Sequence, residues 1–159
     1  MDKYKKASTQ EIFEEYAKIM DELKVRKVIR TFNNPVADYA EWLVALKLKL
    51  KLETNSKAGY DGTDSKNIRY QIKCRRLQVG NSSRQLGVIR KLEEKEFEFL
   101  VGVLFDRGFS IQEAYMIPHD VIEKYAKYSS HQNGHIFYLK GPLLKDPKVK
   151  NITEKLKKP

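Results

Sequence analysis

Between Phe97 and Phe105 the chain reads Phe-Glu-Phe-Leu-Val-Gly-Val-Leu-Phe, apolar at positions of both parities. Successive side chains of a strand point to opposite faces, so a strand of this composition needs cover on both sides. The run is far too short to cross a bilayer as a helix. A doubly covered strand calls for a sheet with helices or other layers against it, which places the chain in the α/β (α+β) class, with a mixed central sheet flanked by helices.

The remaining elements are read outward from that strand. Ser8-Thr9-Gln10-Glu11 has the spacing of a capping box, and Ile12, Tyr16, Ile19 and Leu23 follow at helical intervals, predicting a helix to about Arg30. Asn34 as N-cap and Pro35 at the first helical position open a second helix with a stripe of Tyr39, Leu43, Leu46 and Leu50. Its far end alternates Leu and Lys and also fits a strand, so a short strand is expected near 52–55. Residues 59–64 and 68–74, around the turn Ser65-Lys66-Asn67, read as a β-hairpin. Ser82 with Gln85 is a second capping box, predicting a helix through Leu86, Ile89 and Leu92. After the buried strand come a turn at Asp106-Arg107-Gly108, a strand to Ile117, and a helix from Pro118. A turn at Asn133-Gly134, a strand over His135 to Leu139 and a helical turn at Thr153 to Lys157 complete the chain. The expected order is α-α-(β)-β-β-α-β-β-α-β-α, with 1–32 a helical extension and 33–159 one globular unit.

Charge narrows the partner. The 159 residues carry 31 Lys and Arg against 21 Asp and Glu, a net +10. Eight basic residues and no acidic one lie between Lys66 and Lys91, and a second Lys-rich block runs from Lys140 to Lys158. Acidic residues gather at Glu11 to Glu22 and Glu93 to Glu98. Such segregation favours a polyanion, here nucleic acid. Arg75, Arg76, Arg84 and Arg90 are the expected phosphate contacts, which would position a nucleic acid without reading its sequence. One cysteine, Cys74, suits a reducing compartment, and the polar amino terminus has no apolar leader, so a cytoplasmic protein without membrane attachment is expected. His131 and His135 flank a turn and share no helical face, which argues against zinc.

The hairpin carries the chemistry. Gln71 and Lys73 share one face of their strand, with Ile72 on the other. If Asp64 pairs with Ile68, opposed residue numbers sum to 132 and Asp61 faces Gln71; a slip of one residue would put Asp64 there instead. Either way a carboxylate meets an amide and an ammonium. Such a set suits a hard divalent ion, Mg²⁺ or Mn²⁺, held by the carboxylate, the amide oxygen and the Ile72 carbonyl.

Asp61…Gln71-Ile72-Lys73 resembles the PD-(D/E)XK nuclease superfamily, in the variant where glutamine replaces the acidic residue before x-Lys. With Asn33-Asn34-Pro35-Val36-Ala37-Asp38-Tyr39-Ala40-Glu41, Gly59-Tyr60-Asp61 and Ser83-Arg84-Gln85-Leu86, the likeness extends to a family of small bacterial proteins of restriction-endonuclease type, over about Arg30 to Phe137. The resemblance implies an α-β-β-β-α-β core and a metal-dependent endonuclease acting on double-stranded DNA in restriction, defence or DNA processing. It implies Asp61, Gln71 and Lys73 as the site, and a carboxylate from the preceding helix: Glu41, with Asp38 one turn earlier. It also implies inactive relatives, so a DNA-binding or assembly module is the alternative. Cutting both strands would suit a homodimer.

Overall fold

The computed structural model describes residues 3–54 and 59–157. Its helices are α1 (Thr9–Val25), α2 (Val36–Leu48), α3 (His119–Tyr125), α4 (Pro142–Lys145) and α5 (Thr153–Lys157). Its strands are β1 (Lys51–Leu52), β2 (Gly62–Thr63), β3 (Arg69–Arg76), β4 (Phe99–Phe105), β5 (Ile111–Pro118), β6 (Lys127–Ser129), β7 (Gly134–Ile136) and β8 (Lys150–Asn151). Six strands form one mixed sheet in the order β1-β2-β3-β4-β5-β8, and β6 pairs with β7 separately. Only β3 and β4 run parallel; the other neighbours are antiparallel.

The apolar run is β4, at the centre and buried from Leu100 to Phe105. One face of the sheet packs Val101, Val103 and Phe105 against Ala40 and Val44 of α2 and Leu156 of α5. The other packs Leu100 and Leu104 against Leu86, Phe137, Leu139 and α3. The class expected from the sequence is therefore the class observed. No helix among the described residues is long and apolar enough to cross a membrane.

The helix expected over Ser82 to Leu92 does not form. Asn81 Oδ1 accepts the Ser83 N–H and Ser83 Oγ accepts the Gln85 N–H, so the neighbours of Ser82 make tight local turns where a helix cap is expected. The next residues lie extended across the sheet. The Leu86 N–H donates to Phe137 O, and Ile89 and His135 exchange both backbone bonds. A 3₁₀ turn at Leu92–Glu94 is all that remains helical. Gly102 provides the flat spot beneath this layer: a Cβ there would come within 2.9 Å of a Leu86 methyl and 3.0 Å of a Leu139 methyl. Gly102→Val should destabilise the fold by about 1–3 kcal/mol through overpacking. Urea denaturation checks this, and an unchanged midpoint would contradict the layer just described.

Smaller departures have local causes. The capping box forms as expected, with Ser8 Oγ accepting the Glu11 N–H and Glu11 the Ser8 N–H. Yet α1 stops at Val25, because Lys27 turns left-handed (φ 57°) and the Val28 N–H returns to the Leu23 carbonyl. Most of its apolar stripe is uncovered: only Met20 is buried, while Phe13 and Tyr16 are exposed. Helix α2 starts one residue later than expected, with Asn34 Oδ1 accepting the Val36 N–H, and Leu46 faces solvent. The short strand expected at 52–55 is β1 at Lys51–Leu52; Asn55 lies outside the described residues.

Candidate functional site

Strands β2 and β3 pair Gly62 with Tyr70 and Thr63 with Arg69. The Asp64 N–H donates to Ile68 O in the same register, whereas the Asp61 N–H donates to Tyr70 O, the partner of Gly62, so the ladder is irregular at Asp61. Its side chain nonetheless meets Gln71. Asp64 is held in the turn, accepting the Lys66 and Ile68 N–H groups and the Tyr70 hydroxyl. The one-residue slip does not occur.

Asp61 reaches across to β3. Its Oδ2 accepts from Gln71 Nε2 at 2.7 Å and from the Ile72 N–H at 2.6 Å. The amide thus turns its nitrogen to the carboxylate, leaving Gln71 Oε1 and Asp61 Oδ1 without partners among the described residues. Because β2 is so short, β3 has no outer neighbouring strand among the described residues beyond this point. A strand residue sends its N–H and C=O out on the same side, so the Ile72 carbonyl faces the edge where Asp61 sits. Lys73, on the Gln71 face, runs against the backbone of Gly87, where a Cβ would lie 3.5 Å from Lys73 Cδ. It forms no ion pair with a described residue.

Glu41 approaches from α2. Its side chain is only 15% exposed, and it pairs with the Arg30 guanidinium. Burial and then the nearby Asp61 charge push its carboxyl up to about 7, against the opposing pull of Arg30 and Lys73. Asp61 is also raised by burial, with the Ile72 N–H, Lys73 and Arg30 holding it back. Burial is the leading cause for both carboxyls, and the Asp61 charge acts on Glu41. Asp38 does not join them: it accepts the backbone N–H groups of Arg30 and Thr31 and secures the loop before α2.

Arg30 is the participant that sequence reasoning missed. It bonds Glu41 and the Glu53 carbonyl, and its charge acts on both site acids. Apolar spacing predicts it at the end of the first helix, and no spacing rule links it to the hairpin. The only signal is an arginine shortly before the helix that carries Asp38 and Glu41.

The donors are all oxygens: Asp61, Glu41, the Gln71 amide and the Ile72 carbonyl. One or two carboxylates with neutral oxygens fit Mg²⁺, which keeps several waters, and do not fit zinc. No group of three or more His, Cys, Asp or Glu that could hold a metal occurs among the described residues. Cys74 Sγ donates to Val36 O, and burial pushes its thiol up to about 12, so it is no nucleophile. His119 is buried against the Leu92 carbonyl.

The basic block is partly neutralised in space. Arg69 pairs with Glu98, Lys91 with Glu94, and Arg84 with Glu113. Arg84 also donates to Leu139 O, which turns it inward, away from the phosphate contact expected of it. Arg75 and Arg76 meet the Gln85 and Arg107 carbonyls but no carboxylate of a described residue within ion-pair distance, and Arg76 lies over the Phe109 ring at 4.3 Å. Arg90 is exposed. No model of a known protein family matches the chain, and no curated protein matches its sequence.

Proposed function

We propose that the chain is a metal-dependent endonuclease that hydrolyses DNA phosphodiester bonds, a reading that extends the PD-(D/E)XK resemblance. The observation that carries it is the Asp61 carboxylate bonded to both Gln71 and the Ile72 N–H, with Glu41 alongside and Lys73 two residues on. The order α2, β1, β2, β3 and then β4 follows the implied core, except that extended chain replaces the helix between β3 and β4. Asp61, Glu41, Gln71 Oε1 and the Ile72 carbonyl would hold Mg²⁺ or Mn²⁺. When bound, such an ion acidifies a water and polarises the phosphate. Lys73 contributes a positive charge to the phosphoryl oxygens as they gain charge. Arg75, Arg76 and Arg90 grip the flanking backbone. The test is conversion of supercoiled plasmid to nicked or linear forms, expected with Mg²⁺ or Mn²⁺ and absent in EDTA. No conversion with either ion rejects the reading.

A second reading, DNA binding without catalysis, is favoured by the Arg30–Glu41 pair, since a guanidinium already balances the carboxylate that a cation needs. Arg30→Ala separates the two. A nuclease should then bind Mn²⁺ more tightly in calorimetry. A binding module should gain no metal affinity, while its DNA affinity falls with salt at a slope of about −0.9 per neutralised phosphate. Two chains acting together would account for cutting of both strands.

A further inference from the structure

Past Ile72 the uncovered edge of β3 continues into a cavity of about 440 Å³, between the start of α2 and the extended segment 78–88. That volume is within the range of small-ligand sites. It adjoins the candidate site, because Gly87 lines it and Lys73 runs against Gly87. No carboxylate lines it.

Its polar groups are biased toward donation. Asn34 Oδ1 accepts the Val36 N–H at 3.2 Å, Asn81 Oδ1 the Ser83 N–H at 3.2 Å, and Gln85 Oε1 the Tyr138 hydroxyl at 3.0 Å. Each of these three amide oxygens is thus engaged within the fold, and each of the three NH₂ ends meets no acceptor among the described residues; Gln78 and Gln132 also line the cavity, with neither end of their amides engaged by a described residue. Arg75 adds a guanidinium, fixed by the Gln85 carbonyl at 3.2 Å. Leu86 and Val88 supply apolar surface to the same cavity. Apolar walls with donors at the edge suit a flat heterocycle whose rim is rich in acceptors. Among the bases, guanine presents two adjacent acceptors, N7 and O6, with no donor between them; adenine pairs N7 with an amino group. A concave pocket also suits a base that is unpaired or extruded, not one stacked in a duplex.

We propose that this cavity is a guanine-recognition subsite next to the scissile phosphate. The proposal rests on the nucleic-acid reading above, and names which nucleotide the site selects. Its test needs no turnover. Fluorescence anisotropy in EDTA would compare labelled dT12 with the same strand carrying one central guanine or one central 7-deazaguanine, which lacks N7. The guanine strand should bind about tenfold more tightly than the 7-deaza strand. Gln85→Glu keeps the oxygen bonded to Tyr138 but exchanges the free NH₂ for an acceptor, and should bring that ratio near one. Gln85→Ala removes both ends of the amide without adding charge and should also bring the ratio near one. A ratio near one in the unmodified protein overturns the proposal, as does a ratio that survives both variants. Equal loss of affinity for all three strands in the variants also overturns it, since the cavity would then hold phosphates. Guanine discrimination without plasmid cutting would sink the nuclease reading alone, and cutting without discrimination would sink this one alone.

Discussion

Lys73→Ala should slow metal-dependent nicking of plasmid DNA by about 10²–10³-fold, the effect of removing one preorganised charge from a transition state. The side chain forms no ion pair with a described residue, so its removal should leave thermal melting almost unchanged. Asp61 demands a more careful variant. Asp61→Ala would strand the Ile72 N–H and the Gln71 amide in a half-buried setting, at a cost of about 1–3 kcal/mol. Asp61→Asn retains an acceptor for the Ile72 N–H while removing the charge, and should lose activity to a similar degree with a nearly normal fold. Plasmid nicking rates beside melting curves check both. Full activity in Lys73→Ala and Asp61→Asn would remove the site from the mechanism.

The second large effect concerns protons. Glu41 has an ordinary carboxyl value of 4.5 and is raised to about 7 in the fold. The folded state therefore binds the proton more tightly than the unfolded chain. That contribution to stability is complete below about pH 4.5 and is lost as pH rises through 7. The displacement corresponds to at most about 3 kcal/mol, and to less after allowance for solvent reaching the carboxyl. Metal-free protein should accordingly unfold at lower urea concentration at pH 8 than at pH 5, and Glu41→Gln should flatten that dependence. A divalent ion needs the deprotonated carboxyl, so added Mn²⁺ should stabilise more at pH 8 than at pH 5; at a hundredfold excess over its Kd at pH 8 the stabilisation there should be about 2.7 kcal/mol. An identical pH slope in Glu41→Gln would refute the assignment of the proton to this residue.

The sequence made some of this legible and hid the rest for identifiable reasons. The β4 run could be read because burial on both faces leaves no polar alternation. The hairpin register followed from a three-residue turn, whose geometry is local. The segment 82–92 misled because Ser82 and Gln85 have the spacing of a cap, whereas the decisive partners, Phe137 and His135, lie some fifty residues away. Arg84 misled similarly: the basic run between Lys66 and Lys91 is acid-free in sequence but meets Glu94, Glu98 and Glu113 in space. Arg30 was invisible because its role depends on a loop secured by Asp38. At the site itself, spacing along β3 could place Gln71 beside Asp61, but it could not say which end of the amide would face the acid.

The brevity of β2 has a further outcome. From Ile72 to Arg76, β3 offers backbone hydrogen-bonding groups along its outer rim, the kind of template on which chains stack into aggregates. Lys73, Arg75 and Arg76 sit within that stretch, and an identical strand drawing alongside would bring three more cations against them. The residues that would greet a phosphate chain therefore also keep copies of the protein from zipping together, and neutralising them would trade solubility for self-association.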